Sequence, residues 1–120
     1  MVKAIVLTCM DYRFVSSIAE SLNKLGYKKD YDLFVAAGVS LMYNNEDTCC
    51  LKKCFESWKT SFEQHINLAI GVHNIEEIIA IDHEDCGAYA LHYENNDHDL
   101  DALHVQNMNL LVSYLKKEYP

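Results

Sequence analysis

The sequence predicts an α/β fold: a small three-layer domain with a mainly parallel sheet in strand order 2-1-3, flanked by helices. Three observations predict it. Short β-branched, apolar runs are too brief to be helices, stretches of helical period lie between them, and glycines or polar turns close most of the elements. At 120 residues the chain can bury one core and has no room for a second, so residues 1–120 are expected to form a single domain. Half of the residues are apolar, with one proline and four glycines, which excludes a disordered or linker-rich architecture.

The first run, VKAIVLTC (Val2–Cys9), reads as a buried parallel strand. From Phe14 onward, Val15, Ile18, Ala19, Leu22 and Leu25 recur at helical spacing, and Gly26 is placed to end that helix in a left-handed turn. DLFVAAG (Asp32–Gly38) gives the second strand, and the polar YNNEDT after it marks a loop. Leu51, Cys54, Phe55, Trp58, Phe62, Ile66, Ala69 and Ile70 form the clearest helical stripe, closed by Gly71 with Val72 behind it. EIIAID (Glu77–Asp82) is the third strand, and HEDCGAY follows its carboxyl end, where the chain must turn back into a helix. Beyond the acidic loop ENNDHD, Leu100, Leu103, Leu110, Leu111, Tyr114 and Leu115 make a final amphipathic helix. No strand-like run follows Tyr89, so the third strand is left with an open edge that a helix, a loop or another subunit would cover.

Strands alternating with helices imply right-handed crossovers. In the order 2-1-3 the first crossover leaves strand one on one side and the second carries the chain back past it. A topological switch point then falls between strands one and three, where open α/β sheets bind ligands outside the carboxyl ends of the strands. Cys9 ends strand one; His83 and Cys86 follow strand three.

The formal charge of -8 disfavours nucleic acid and anionic membranes, because no basic stripe is present to displace phosphate counterions. Small-molecule partners fit better. The apolar AIVL near the start is far too short for a membrane span and lacks the features of a secretory signal, so a cytoplasmic location is expected. Five cysteines are an odd number, and in a reducing compartment they are expected to be thiols available for metal binding or burial.

Two thiolates and an imidazole meeting in the crevice would give zinc three ligands of the kinds it favours and leave the fourth tetrahedral position for water or substrate. H-x-x-C alone is a weak signal; the fold reading supplies Cys9 as the third ligand. CMDYR adds to it, since on an extended segment Cys9, Asp11 and Arg13 project to the same side. Arg13 can hold Asp11 through charge-assisted hydrogen bonds and keep it ionised. Asp11 could then accept a proton from a zinc-bound hydroxide and aim it at a small electrophile. Alternatively, Asp11 itself could take the fourth position, a form that stays inactive until Arg13 draws the carboxylate away.

CMDYR followed far downstream by HEDCGAY resembles the C-x-D-x-R and H-x-x-C signature of the β-class carbonic anhydrases. DLFVAAG resembles that family's second strand, and HINLAIGVHNIEEIIAIDHEDCGAY its helix, Gly-Val turn, third strand and metal loop, in the same order. The resemblance runs from about Val2 to Tyr89. It implies zinc (Zn2+) held by Cys9, His83 and Cys86, an Asp11 and Arg13 catalytic dyad, reversible hydration of carbon dioxide to bicarbonate, and a homodimer or higher homo-oligomer.

The chain departs from the family's pattern in three respects. Tyr12 stands where serine is common, Val35 and Ala36 stand where an Arg-Asn pair is common, and a further strand usually follows the last helix. These departures leave two alternatives open: a carbon disulfide or carbonyl sulfide hydrolase with the same zinc chemistry, and a non-catalytic zinc-binding homologue. Cys49, Cys50 and Cys54 read as helix start and core packing rather than a second metal cluster. Solvated or capping roles are expected for most of His65, His73, His92, His98 and His104, and Phe55, Trp58 and Phe62 are expected in the core or an interface.

Overall fold

The computed structural model describes residues 2–28, 30–43, 52–83, 86–92 and 100–119. Strand β1 (Ala4–Thr8) is followed by a 3-10 turn (Tyr12–Phe14), helix α1 (Val15–Lys24), β2 (Tyr31–Val35) and a second 3-10 turn (Val39–Tyr43). Helix α2 (Lys52–His73), β3 (Glu77–Ile81), α3 (Gly87–His92) and α4 (Leu100–Glu118) complete the order. The three strands form one parallel sheet in the order β2-β1-β3, as the sequence predicts.

β1 is the central strand and all five of its residues are buried, which explains its unbroken apolar sequence. Ile5 and Leu7 point to one face and enter a core with Phe55, Phe62, Ile66 and Ala69 of α2 and Leu111 and Leu115 of α4. The register places Phe34 and Ala80 beside Leu7, and Ile78 beside Ile5, so neighbouring strands extend the same apolar face. Burying Phe55 and Phe62 contributes roughly 1.5–3 kcal/mol each, so α2 is fixed to the sheet by its stripe rather than by helix propensity. Val6 and Leu22 are buried outside this cluster. Right-handed crossovers account for that: α1 links β1 to β2 in one direction and α2 returns across β1 in the other, so they cover opposite faces.

Helix ends are set by left-handed residues. Gly26, at φ 93°, closes α1 with paired bonds from its own N–H to Asn23 O and from Tyr27 N–H to Leu22 O. The end expected at Gly71 is displaced. α2 runs through Gly71 to His73 and stops at Asn74, whose φ is 58° and whose N–H reaches Ile70 O at 3.1 Å. Asparagine tolerates the left-handed conformation, so it replaces glycine as the stop.

Between β2 and the polar run, Val39–Tyr43 is a wholly buried 3-10 turn packed against α2 and α4; residues 44–48 of the loop read from sequence, and Cys49 and Cys50, read as helix start and core packing, lie outside the described residues. Cys54 starts on α2 but is exposed, so it does not pack in the core. Phe55 and Phe62 are in the core and Trp58 packs against it, as expected. Among the described residues no helix is long and apolar enough to cross a membrane.

Candidate metal centre

The sheet register decides which side chains can meet. Thr8 lies level with Val35 and with Ile81, so the three strands end in line and the loops beyond them open on the same side. Cys9 is the next residue after β1, Gly38 lies three beyond β2, and His83 and Cys86 follow β3. The ligand atoms of Cys9, His83 and Cys86 all lie within 4.8 Å of one another, with both cysteines buried and His83 half-buried. Among the described residues this is the one cluster with metal-ligand character. Tetrahedral bonding at about 2.3 Å to sulfur and about 2.0 Å to nitrogen sets donor atoms roughly 3.5–3.8 Å apart, so the spacing suits a single ion.

The two sulfurs are already joined by a hydrogen bond. The Cys86 thiol donates to Cys9, which holds Cys9 far below the ordinary thiol range and pushes Cys86 up. Burial opposes the first shift and reinforces the second. Backbone N–H groups of Gly38 and Asp11 donate to the Cys9 sulfur, as does the His83 side chain, and those of Tyr89 and Ala88 donate to the Cys86 sulfur. These donors favour sulfur anions, which is the form that ligates metal, and a divalent cation would replace the shared proton. The donor set and its surroundings therefore fit zinc.

Gly38 allows this closeness. Its φ is 59°, and a Cβ there would stand 2.8 Å from Leu41 Cδ1 and 2.9 Å from Ala88 Cβ. Only glycine fits between the buried 3-10 turn and α3 while sending its N–H to Cys9.

Asp11 and Arg13 form the pair expected from CMDYR, though on a 3-10 turn rather than an extended segment. Asp11 caps the turn: Oδ1 accepts from the Arg13 backbone N–H and from Nε, both at 3.0 Å, and Oδ2 accepts from the Arg13 guanidinium Nη2 at 2.6 Å. These bonds from Arg13 lower the Asp11 carboxyl from its ordinary 3.8 to about 2. The carboxylate is not one of the clustered donors; Arg13 holds it. The Phe14 ring carries the Arg13 guanidinium 5.2 Å from its centroid and packs against the His83 ring at 4.4 Å, linking the dyad to the cluster.

The departing positions can also be placed. Tyr12 is 85 % exposed, so it does not fill the space beside the cluster. Val35 is half-exposed at the end of β2 and Ala36 is buried. Two grooves, of about 410 and 290 Å3, lie along the β3 edge and between α2 and β2, and none of Cys9, Asp11, Arg13, His83 or Cys86 lines either.

Among the histidines, His65 Nδ1 donates to Ser61 O on its own helix and His73 bonds Asp32 at 2.7 Å across the end of α2. His92 and His98 offer no described side chain. His104 is not solvated. It sits on the inward side of α4, its Nδ1 2.9 Å from Asp82, the residue before His83. The available sequence sign was polar residues at His104 and Asn107 within the apolar stripe of the last helix.

A family profile described as "Putative carbonic anhydrase" matches residues 1–116. Two curated relatives match along 97% of this chain: an uncharacterized protein of Rickettsia bellii (strain RML369-C), 26% identical, and one of Rickettsia conorii (strain ATCC VR-613 / Malish 7), 24% identical. The chain spans 69% of the first relative's length and 61% of the second's. No solved structure matches.

Proposed function

Because the chain belongs to the family described as "Putative carbonic anhydrase", we propose that it is a β-class zinc enzyme that hydrates carbon dioxide reversibly to bicarbonate. The observation that carries this reading is the meeting of Cys9, His83 and Cys86 beside an Asp11 carboxylate gripped by Arg13. Cys9, His83 and Cys86 would hold the ion. Zinc bound there supplies a Lewis acid that makes water nucleophilic near neutral pH.

The chain's own residues supply orientation. Asp11, bound to Arg13, would not compete for an ion held there, which would leave room for solvent beside it. At a pKa of about 2, Asp11 is too weak a base to take a proton in the neutral range. It acts instead as a fixed hydrogen-bond acceptor that turns the attacking oxygen's lone pair toward the carbon of carbon dioxide. One C–O bond forms, one C=O π pair moves onto oxygen to give bicarbonate, and the proton released passes to solvent. Carbon dioxide is small enough to need no deep cavity. The thiolates of Cys9 and Cys86 cancel the charge of a divalent ion, so turnover should rise toward alkaline pH.

A homo-oligomer is part of the proposal. β3 pairs only with β1 among the described residues, and Ile70, Ile75, Ile78 and Met108 line an apolar groove along its other side.

Stopped-flow carbon dioxide hydration by protein of verified zinc content tests the reading. Turnover that increases from neutral to alkaline pH is expected. Absence of turnover at every pH would leave a zinc-binding protein without this activity.

A further inference from the structure

Behind the metal centre lies a chain of buried polar groups. Asp82, immediately before His83, accepts three hydrogen bonds: from Ser40 N–H at 3.2 Å, from Ser40 Oγ at 2.5 Å and from His104 Nδ1 at 2.9 Å. Ser40 Oγ also contacts the Tyr89 hydroxyl, which receives a hydrogen bond from Asn107 Nδ2 at 3.2 Å. Ser40, Tyr89 and Asn107 are each fully buried, and the Tyr89 ring stacks on His104 at 3.6 Å between centroids.

The direction of every proton in this chain is fixed. An amide nitrogen can only donate, so Asn107 gives its hydrogen to the Tyr89 oxygen; Ser40 spends its own hydrogen on the Asp82 carboxylate, so Tyr89 must donate to Ser40. The series runs Asn107 to Tyr89 to Ser40 to Asp82, and His104 donates to the same carboxylate. A buried network satisfied along its length is rigid, and breaking one link leaves a buried acceptor or donor unmatched.

What it holds is specific. Ser40 lies two residues after Gly38, whose N–H donates to Cys9. Asp82 adjoins His83. Tyr89 gives its backbone N–H to Cys86 and its hydroxyl to the network. Each of the three ligands is thus one short step from a group anchored, directly or through Ser40, to two side chains of one helix. We infer that His104 and Asn107 of α4 are positioning residues that fix the Cys9, His83 and Cys86 constellation through Asp82, Ser40 and Tyr89. The inference rests on the zinc reading above and adds to it that α4 sets the affinity and geometry of the ion without touching it.

Zinc affinity, read by competition with a chromogenic chelator, and the visible spectrum of the cobalt-substituted protein provide the test. His104→Ala should weaken zinc binding by about 10-fold or more and alter the cobalt bands, while circular dichroism shows the fold retained. Asn107→Leu should weaken it in the same direction. His104→Asn, which places an amide nitrogen near the Nδ1 position, should restore most of the affinity. His104→Gln, whose nitrogen reaches toward the Nε2 position, should not. This last pair decides the matter even if the alanine variant fails to fold. A folded His104→Ala protein with unchanged affinity and spectrum would overturn the inference, and so would equal affinities for the asparagine and glutamine variants. Failure of the unaltered protein to bind zinc would instead overturn the zinc reading, and the inference with it.

Discussion

The two halves of the candidate metal centre are held differently. After β1, the side-chain pair is local: Asp11 and Arg13, two residues apart, hold each other through the Asp11 carboxylate. After β3, the residues flanking His83 and Cys86 depend on distant segments. Asp82 is held by Ser40 and His104, 42 and 22 positions away, and Tyr89 by Ser40 and Asn107, 49 and 18 positions away. The Asp11–Arg13 pair is a local motif that carries its own geometry; the loop after β3, like the Gly38 N–H that reaches Cys9, is placed by the fold.

The sharpest way to break this contrast is to remove a ligand from either half. Cys9→Ala and Cys86→Ala should each reduce bound zinc from about one per chain to near zero by elemental analysis, since two remaining ligands do not hold the ion. Zinc retained without Cys86 would mean that the ligand set Cys9, His83 and Cys86 is wrong. Asp11→Ala should separate the chemistry from the ion: turnover falls by about 100-fold or more while zinc content stays the same. Loss of zinc in that variant would show Asp11 to be a ligand rather than an orienting group.

Two smaller effects sharpen the contrast. Gly38→Ala strains the link between halves, adding a Cβ at positive φ against Leu41 and Ala88. It should cost about 1–3 kcal/mol in urea denaturation, through overpacking and the unfavourable backbone conformation. Arg13→Ala acts directly on the local pair. In metal-free protein the Asp11 carboxyl should return from about 2 toward its ordinary 3.8, followed by carboxyl-carbon NMR. The sign is that of a lowered acid. The interaction is complete above about 3.8 and is lost as pH falls through about 2, so the pair stays intact throughout the neutral range.

The same contrast explains what could be read from the sequence. The sheet order followed from three short apolar runs separated by helical periods, and the cluster of Cys9, His83 and Cys86 from the switch point that this order creates. CMDYR showed its ion pair because the partners are near neighbours, although the spacing suggested an extended segment where a 3-10 turn forms. Ser40, Asp82, Tyr89 and His104 were not legible as a group. Each looks ordinary alone, and only packing of α4 against the 3-10 turn at Val39–Tyr43 joins them. The stop of α2 at Asn74 rather than Gly71 has a similar cause: two residues could end the helix, and the bond from Asn74 N–H to Ile70 O selects one.

X-ray absorption at the zinc edge of the loaded protein shows whether both halves converge on one ion. Two sulfur neighbours at about 2.3 Å and two lighter neighbours at about 2.0–2.1 Å are expected, from Cys9, Cys86, His83 and an oxygen of solvent. A shell of four sulfurs, or one without sulfur, would contradict that convergence.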